Sequence, residues 1–387
     1  MNVLHIASAL DRAIGGLITA FEGLAAAQQK AGLKVTLAAT HLQGEDMAVV
    51  DALESVGVVV RTVGPCKTAL RWHPDLPQVI DELVRQTDMV HIHGCWEEIH
   101  HVAAKLARRH SIPYVITPHG MLSSWALGKK SLKKKLYMLL RLRRHLDHAT
   151  AIHYTTELER LSVAEHNRRA AAIIEPNGIA LDVFEELPPA GSFRARHTAT
   201  QGRKLVVFLG RIFPGKGLEY LVPAMAQVSD PNALLVIVGP DEQGYQAQVE
   251  QMIHEHELHD RVLFTGMLQG KALIETLVDA DLFCLPSDHE NFGLAIVEAL
   301  AAKNPVIVSD QVAIHPEITQ GQVGCVVPCS SDKVAEAISE WLADDELRAA
   351  AAQRARPFVW DRYGWSSIAQ RWKTHYEEIL VNGGVRD

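Results

Sequence analysis

Long apolar runs are missing from this 387-residue chain, and their absence bears first on membranes and export. No apolar run approaches the roughly 18 to 20 residues that a membrane-spanning helix needs. Met1 and Asn2 lead directly into the apolar segment Val3 to Ala7, without the basic stretch that begins a secretory signal peptide. We therefore expect a cytoplasmic protein that neither spans a membrane nor is secreted.

Cysteine is scarce and odd in number, which argues against a disulfide framework. The chain has five cysteines, scattered and mostly in or beside apolar segments: Cys66, Cys95, Cys284, Cys325 and Cys329. Reduced thiols in a cytosol fit this distribution better than disulfides or a zinc site.

The chain also lacks an overall positive charge, since its formal net charge is −8. The charge is uneven: residues 1–180 carry 21 basic and 17 acidic side chains, and the remainder carries 17 and 29. An acidic chain without aromatic residues between its basic ones is not expected to bind nucleic acid.

Much of the basic excess lies in one segment, Lys129 to Arg144. It holds eight basic residues and no acidic one: Lys129, Lys130, Lys133, Lys134, Lys135, Arg141, Arg143 and Arg144. Interleaved leucines predict a basic amphipathic helix. Two interpretations stay open: a solvated helix packed by its leucines, or a helix attracted to an anionic membrane or to a phosphorylated, lipid-linked acceptor.

Short apolar strands alternate with helices along almost the whole chain, which predicts an α/β protein with parallel sheets covered on both faces. A first series of strands is predicted at residues 3–9, 34–39, 58–63, 88–93, 113–117 and 151–155, the last completing the first sheet. A second series is predicted at residues 205–209, 233–238, 262–264, 281–285, 305–309 and 324–327. Each series predicts a doubly wound, Rossmann-like domain.

Structure-breaking residues separate the two series. Pro176-Asn177-Gly178 and Pro188-Pro189-Ala190-Gly191 precede a polar run to Arg203. We place a first domain at residues 1–180 and a second at 181–365. A last helix, over about residues 366–387, is expected to pack back on the first domain.

Two carboxylates, Glu290 and Glu298, bracket a predicted helix in the second domain. Asn291 is a favourable N-cap, and the helix is expected to run to about Ala302. Glu298 then lies two turns on, about 10 Å along the same face. A nucleotide-sugar along this helix would place its sugar near Glu290 and its ribose near Glu298. An ordinary amphipathic helix with one exposed glutamate remains the alternative.

A glycine-rich loop, residues 210–217, follows the first strand of the second domain. Its glycines allow close backbone approach, and Arg211 and Lys216 can each pair with a phosphate. It is not a Walker A loop, because Gly217 follows the lysine where that motif has Ser or Thr. A plain strand-to-helix turn is the alternative interpretation.

Two further patterns invite a metal assignment. Asp279-Ala280-Asp281 has the spacing of a metal-binding Asp-x-Asp but precedes a buried strand, so we interpret it as structural. His91 and His93 sit two apart at a strand end with no third ligand nearby in sequence. No metal is expected, and His93 is kept as a candidate residue on the acceptor side.

Taken in order, these motifs resemble the retaining glycosyltransferases of family 4, which have the GT-B fold of two Rossmann-like domains facing across a cleft. The resemblance rests chiefly on Arg211-x4-Lys216-Gly217 and on Glu290-x7-Glu298. Gly15-Gly16, Thr117-Pro118-His119-Gly120, Val238-Gly239-Pro240, Phe264 to Leu268 and Pro176 to Ile179 are the supporting motifs. It covers nearly the whole chain.

The resemblance implies a role for each matching residue. Arg211 and Lys216 would hold the donor diphosphate, Glu290 the transferred sugar and Glu298 the ribose. His119 would reach the sugar near the reacting carbon, and Glu290, His119, Arg211 and Lys216 form the implied catalytic set. The other implied donor contacts are Gly15, Gly16, Gly266, Met267, Leu268, Asn291, Phe292, Gly293 and Leu294.

The resemblance also implies the reaction. A hexosyl unit would be transferred from a nucleotide-sugar such as UDP-glucose to a hydroxyl of a glycan or lipid-linked saccharide in polysaccharide biosynthesis. The transfer would retain the configuration at the anomeric carbon and would need no metal or other cofactor. No covalent nucleophile is expected, so Glu290 is assigned to positioning and charge stabilisation. A nucleotide-sugar 2-epimerase and a catalytically silent sugar-nucleotide-binding subunit are the alternatives. Ala180 and Asn304 depart from the family pattern, outside the implied chemistry.

Overall fold

The structure is a computed structural model that describes residues 1–12, 16–68, 70–123, 134, 136–163 and 169–382. The chain forms two compact units. The first comprises Met1–Gly178 with Trp365–Asp387, and the second Ile179–Gly364.

The first unit is built on a parallel sheet. Its strands are β1 Asn2–Ala7, β2 Lys34–Leu42, β3 Val59–Cys66, β4 Met89–His93, β5 Tyr114–Thr117, β6 Ala151–Tyr154 and β7 Ala171–Ile174. They lie in the order β3-β2-β1-β4-β5-β6-β7, so the strand order reverses between β1 and β4. In the described part of the chain before the domain junction, the α-helices are α1 Gly16–Lys30, α2 Ala48–Ser55, α3 Leu76–Val84, α4 Glu98–Arg109, α5 Arg143–His148 and α6 Glu157–Ser162, and a π-helix, Met138–Leu142, precedes α5. Two hydrophobic clusters cover its two faces.

The second unit repeats this architecture. Its strands are β8 Leu205–Leu209, β9 Leu234–Val238, β10 Val262–Gly266, β11 Leu282–Leu285, β12 Val306–Ser309 and β13 Gly324–Val327. They form a parallel sheet in the order β10-β9-β8-β11-β12-β13, which reverses between β8 and β11. The helices are α7 Ser192–Arg196, α8 Leu218–Gln227, α9 Gln246–Glu255, α10 Gly270–Asp279, α11 Leu294–Ala301, α12 His315–Gly321, α13 Ser331–Ala343 and α14 Asp345–Tyr363.

The last helix, α15 Trp365–Val381, belongs to the first unit. It buries Ile368, Trp372 and Tyr376 in the cluster that also contains Phe21 of α1. Arg371 on this helix pairs with the buried carboxylate of Glu175 at 2.7 Å. Apolar packing and an ion pair therefore both attach the carboxyl-terminal helix to the first sheet.

One predicted sheet edge is wrong. We expected the segment 151–155 to complete the first sheet, but β7 continues beyond it and pairs with β6 through Ala171 to Ile174. Only Ile173 of these four residues is buried, because β7 is an edge strand. Its run from Ala171 to Ile174 is apolar but short and half alanine, a residue depleted in strands, so the sequence pattern does not mark it as a strand.

Candidate functional site

Two loops meet where the order of the second sheet reverses. The loop at residues 210–217 follows β8, and the loop at residues 286–293 follows β11, the neighbouring strand. In open α/β sheets, ligands bind outside the carboxyl ends of strands at such a reversal. Lys216, Glu290 and the start of α11 therefore share the position where a ligand is expected.

The helix after β11 starts later than the sequence predicts. Its N-cap is Gly293 and not Asn291, and it runs over Leu294–Ala301. Gly293 adopts a left-handed φ of 83°, which favours glycine. A Cβ there would lie 2.7 Å from Ile296 Cδ1 and 3.2 Å from Glu290 Cγ. Gly293 thus lets the loop fold back, so that Glu290 lies directly against the helix start.

Glu290 is held by its backbone as well as by its side chain. Its N–H donates to the Gln311 carbonyl at 3.3 Å, and its carbonyl accepts from the Ala313 N–H at 2.8 Å. Its carboxylate pairs with the ammonium group of Lys216 at 2.5 Å. About a fifth of each of these two side chains is exposed, so the pair lies at the surface of the reversal point.

The loop carrying Lys216 is locked against the loop after β11. Gly217 has a φ of 90°, and a Cβ there would lie 2.3 Å from the Pro286 carbonyl oxygen. The Ser287 hydroxyl donates to the Lys216 carbonyl at 3.2 Å, and the Ser309 hydroxyl donates to the Ser287 carbonyl at 2.5 Å. These contacts hold the ammonium group of Lys216 beside Glu290.

Arg211, the other candidate phosphate ligand, also has a carboxylate partner. Its guanidinium group lies 2.6 Å from Glu242, in the loop after β9. The Gly210 N–H donates to the Val238 carbonyl at 3.0 Å, which holds the start of the loop carrying Arg211 against β9. The sequence motifs did not single out Glu242, and its position shortly after Val238-Gly239-Pro240 is the only signal for it.

Glu298 lies on α11, one helical turn beyond Leu294 and on the same face. Its side chain is partly exposed, and burial of the carboxyl group raises its pKa to about 7. Among the described residues, no hydrogen bond or ion pair reaches this carboxylate. Its charged form is therefore poorly solvated until a ligand supplies hydrogen-bond donors.

The remaining second-domain candidates occupy the same edge. Gly266 ends β10, and its carbonyl accepts from the Gly239 N–H at 2.9 Å. Met267 is 57% exposed, which leaves its thioether available to a flat ring. Phe292 is buried and packs edge-on against Tyr363. Phe292 therefore shapes the loop from beneath, and it can contribute only its backbone to a ligand.

In the first unit, His93 and His119 follow neighbouring strands. His93 ends β4, and His119 comes two residues after β5 with a left-handed φ of 50°. The His93 Nδ1 and His119 Nε2 atoms are 3.2 Å apart. His93 is buried, whereas His119 is partly exposed. His119 is thus the ring of this pair that a substrate can reach.

A buried carboxylate holds the turn that carries His119. Glu159 accepts a hydrogen bond from the Gly120 N–H at 2.7 Å. Its other oxygen accepts from the Thr155 N–H at 2.7 Å and from the Thr155 hydroxyl at 2.9 Å. Nothing in the spacing of Glu159 from Gly120 predicts this contact, so Glu159 is not among the residues predicted from the sequence.

The glycine pair after β1 is only partly visible. Gly16 is exposed at the start of α1, whereas Gly15 lies outside the described residues. The reversal of the first sheet between β1 and β4 places Gly16 at the corresponding edge of that sheet.

The two patterns that invited a metal have hydrogen-bonding explanations. Asp279 accepts from the N–H groups of Gly191 and Arg194, which confirms a structural role. His91 and His93 do have a third histidine nearby, His5 on β1, with ligand atoms within 4.8 Å of one another. All six of these ring nitrogens have hydrogen-bonding partners, namely Gln28, Tyr376, Thr117, His119 and, between themselves, His5 and His93.

The basic segment is described at Lys134 and at residues 136–144. Lys129, Lys130, Lys133 and Lys135 lie outside the described residues. Leu142 is buried, but Leu136, Leu139 and Leu140 are 58%, 68% and 68% exposed. The interpretation of a helix packed by its leucines therefore fails for these three side chains. None of the helices in the described ranges has the length and apolar content to cross a membrane.

The comparisons with known proteins cover both units. The family description "Glycosyl transferase 4-like domain" matches residues 15–178, and "Glycosyl transferases group 1" matches residues 191–358. The chain is 31% identical over 222 residues to a phosphatidyl-myo-inositol mannosyltransferase of Mycobacterium leprae, covering 55% of each chain. It is 29% identical over 223 residues to a lipopolysaccharide 1,2-N-acetylglucosaminetransferase of Salmonella typhimurium, covering 55% and 57%. The matches span about half the length of these curated relatives.

A solved structure matches over almost the whole chain. The Anabaena protein HepE in complex with UDP and glucose superposes on 98% of this chain and 100% of its own, with a TM-score of 0.80 and 20% identity. At this identity the likeness concerns the fold alone, and it confirms the predicted GT-B fold.

Proposed function

Because the chain belongs to the group 1, family 4-like glycosyltransferases, we propose that it transfers a hexosyl unit from a nucleotide-sugar to a hydroxyl group with retention at the anomeric carbon. The observation that carries this proposal is the Lys216–Glu290 pair, which lies where the order of the second sheet reverses. A cation and a carboxylate at the start of a helix suit a donor whose diphosphate must depart beside its sugar.

Each candidate residue has a proposed role in donor binding. Lys216 and Arg211 exchange their glutamate partners for the diphosphate, and Glu290 binds hydroxyls of the sugar and stabilises developing positive charge. Glu298 binds the ribose. The backbone at residues 291–294 contacts phosphate and sugar, and residues 266–268 contact the base. In the first unit, His119 contacts the sugar near the reacting carbon, and Gly15 and Gly16 contact the donor.

The reaction needs charge stabilisation more than covalent chemistry. The glycosidic carbon becomes oxocarbenium-like as its bond to the diphosphate stretches, and negative charge accumulates on the leaving oxygen. The cations of Lys216 and Arg211 stabilise that oxygen, while the Glu290 carboxylate stabilises the sugar. The acceptor hydroxyl attacks from the face that the diphosphate leaves and passes its proton to the departing diphosphate oxygen, so configuration is retained. No metal is assigned to these steps.

A UDP-sugar donor is proposed because HepE was solved with UDP and glucose. A glycan or lipid-linked saccharide acceptor is proposed because the named relatives act on phosphatidyl-myo-inositol and on lipopolysaccharide. We propose a role in polysaccharide biosynthesis in the cytoplasm, with the predicted first domain, residues 1–180, on the acceptor side. His93 acts there through His119, since its own ring is buried.

The proposal is tested with a panel of UDP-, GDP- and ADP-sugars. Nucleotide release and thermal shift are measured with and without acceptor saccharides, and with a chelator to test metal independence. We expect one donor to stabilise the protein and to release its nucleotide only when an acceptor is present. Binding without turnover under every acceptor would favour the silent subunit. Release of a free epimeric sugar would favour the 2-epimerase.

Replacing Glu298 with glutamine is expected to stabilise the protein and weaken donor binding. Burial raises the pKa of this carboxyl group from 4.5 to about 7, so ionisation costs stability as the pH rises through that interval. The variant should gain about 3 kcal/mol of unfolding free energy at pH 8 and almost nothing at pH 4. Its donor KM should rise about tenfold, because a charged ribose acceptor is lost.

Thermal unfolding at both pH values and steady-state kinetics at pH 8 measure these effects. Glu336→Gln is the matched control, since Glu336 is an exposed helix carboxylate of the same unit. An unchanged donor KM in Glu298→Gln would remove the ribose assignment. An equal stability gain at pH 4 and pH 8 would show that the carboxyl group carries no ionisation penalty.

We also propose that the basic segment, residues 129–144, binds the anionic face of a membrane. The protein should co-sediment with vesicles containing anionic phospholipid at low salt and less so at high salt. Replacing Leu139 or Leu140 with glutamate should weaken binding about tenfold, because each loses a leucine that enters the interface. Leu161→Glu is the control, since Leu161 is also exposed but lies on α6. Absence of binding at both salt concentrations would contradict the proposal.

A further inference from the structure

A chain of hydrogen-bonded groups runs through the core of the first unit and ends at His119. Its members are the Glu175 carbonyl and the side chains of His153, Thr117, His91, Tyr376, Gln28, His5, His93 and His119. They come from strands β1, β4, β5 and β6, the two helices α1 and α15, and the segments after β5 and β7. Every side chain in it except His119 is buried.

The direction of every bond follows from the carbonyl at one end. A carbonyl oxygen only accepts, so His153 must carry its proton on Nε2, 2.7 Å away. The neutral ring then has a lone pair on Nδ1, to which the Thr117 hydroxyl donates over 2.8 Å. Because the Thr117 hydroxyl donates its only proton to His153, its oxygen accepts from His91 Nε2–H at 2.7 Å.

The next bonds reach Tyr376 on the carboxyl-terminal helix, and their direction is fixed in the same way. His91 now has a lone pair on Nδ1, and the Tyr376 hydroxyl donates to it over 2.6 Å. The Tyr376 oxygen must then accept, and the Gln28 amide nitrogen donates to it at 3.3 Å. Gln28 therefore presents its oxygen, and not its nitrogen, to His5.

Three more hydrogen bonds connect Gln28 to the partly exposed ring of His119, and the direction of each is fixed by the one before it. His5 donates from Nε2 to Gln28 over 2.8 Å and accepts at Nδ1 from His93 Nε2–H over 2.8 Å. His93 in turn accepts at Nδ1 from His119 Nε2–H over 3.2 Å. His119 is left with its proton on Nε2 and a lone pair on Nδ1.

This assignment requires neutral rings, and burial provides that condition. Burial lowers the pKa of His5 and of His153 to about 4, and that of His119 to about 3. The pKa values of His91 and His93 are lowered in the same direction by burial and by the neighbouring histidines. All five rings are therefore uncharged near neutral pH.

We propose that Gln28 and Tyr376 are positioning residues that hold His119 as the Nε2–H tautomer, with its Nδ1 free to accept a hydrogen bond from a substrate hydroxyl. The tautomer is a property of the free protein, whereas its use toward a sugar or acceptor hydroxyl rests on the proposed transferase function. The carboxyl-terminal helix thereby contributes to the site through Tyr376, although it lies in the core.

Gln28 is the link at which the direction can reverse. If its amide turned over, its nitrogen would donate to His5 Nε2, and the proton of each following ring would move to the opposite nitrogen. His119 would then carry its proton on Nδ1 and could no longer accept there. The Tyr376 oxygen opposes this reversal, because it offers an acceptor that only the amide nitrogen can satisfy.

The experiment is two-bond proton–nitrogen correlation NMR of the full chain labelled with ¹⁵N-histidine, which distinguishes the two neutral tautomers. We expect His119, assigned through a His119→Gln spectrum, to be the Nε2–H tautomer. In Tyr376→Phe, Gln28 loses its acceptor, and His119 should become a mixture of both tautomers. Gln28→Glu is the matched control, since a carboxylate still accepts from His5 and should preserve the Nε2–H form.

Gln28→Met provides a second way to interrupt the hydrogen-bonded chain of side chains, should Tyr376→Phe fold poorly. Thermal unfolding is recorded for each variant. An Nδ1–H tautomer of His119 in the parent protein would overturn the proposal. An unchanged His119 signal in both Tyr376→Phe and Gln28→Met, each shown to be folded, would also overturn it. Once a donor is identified, the same variants should lose kcat more than they change donor KM. Failure of that kinetic arm alone would count against the transferase function or the role of His119, because the tautomer is read without substrate.

Discussion

Lys216→Ala is expected to lower kcat about 100- to 1,000-fold. The Lys216 ammonium group lies at the reversal point of the second sheet, where negative charge accumulates on the leaving diphosphate. A cation that is held in place stabilises this charge more in the transition state than in the bound donor. The effect should therefore appear mainly in kcat and less in the donor KM.

Steady-state kinetics with the donor identified by the sugar panel measure this effect. Lys333→Ala is the control, because Lys333 is an ion-paired lysine of the same unit, 2.7 Å from Glu336 on α13. Thermal unfolding must show that Lys216→Ala is folded, since the variant leaves Glu290 without its partner. Turnover near that of the parent protein would mean that other groups hold the diphosphate.

The second sheet was predictable from the sequence because its four central strands are buried and its two edge strands, β10 and β13, still carry short apolar runs. Each predicted strand overlaps an observed one, and the boundaries of β8 and β13 agree to the residue. Continuous apolar runs between glycine and proline mark such strands clearly. The edge strand β7 escaped because its apolar run is short and half alanine, a residue depleted in strands, and only Ile173 in it is buried.

The start of α11 was not predictable from local rules. Asn291 is a better cap than Gly293 by residue type, and the helix nevertheless begins at Leu294. The deciding contacts are tertiary, since the Glu290 backbone bonds to Gln311 and Ala313 and draws the loop away from helical geometry. The prediction that Glu298 lies two turns into the helix is therefore wrong, because the helix starts at Leu294. The expectation that Glu290 lies near the helix start is right.

Partners that are distant in sequence were equally hidden. The order of the motifs predicted that Arg211, Lys216 and Glu290 lie at one edge of a sheet. It did not predict that each of the two cations pairs with a glutamate. The pairing of His91 with Tyr376, 285 residues away, requires a helix that returns from the end of the chain. Spacing identifies residues that share an element, whereas these contacts join different elements.

Glu290→Gln is expected to lower kcat about 100- to 1,000-fold while changing the donor KM only a few-fold. The amide keeps the size of the side chain and can still bind a sugar hydroxyl, but it removes the negative charge that stabilises an oxocarbenium-like sugar. Steady-state kinetics at saturating acceptor measure both constants. An unchanged kcat would show that Glu290 serves binding alone.

The double variant Lys216→Ala with Glu290→Gln shows whether the pair acts as a unit. The two groups are 2.5 Å apart, so their effects should not add. Each single variant leaves a charge beside the departing diphosphate without its counterpart, whereas the double variant leaves neither. We therefore expect the double variant to lose little more activity than the worse single variant. Losses that multiply would mean that the two side chains do not interact with each other in the donor complex.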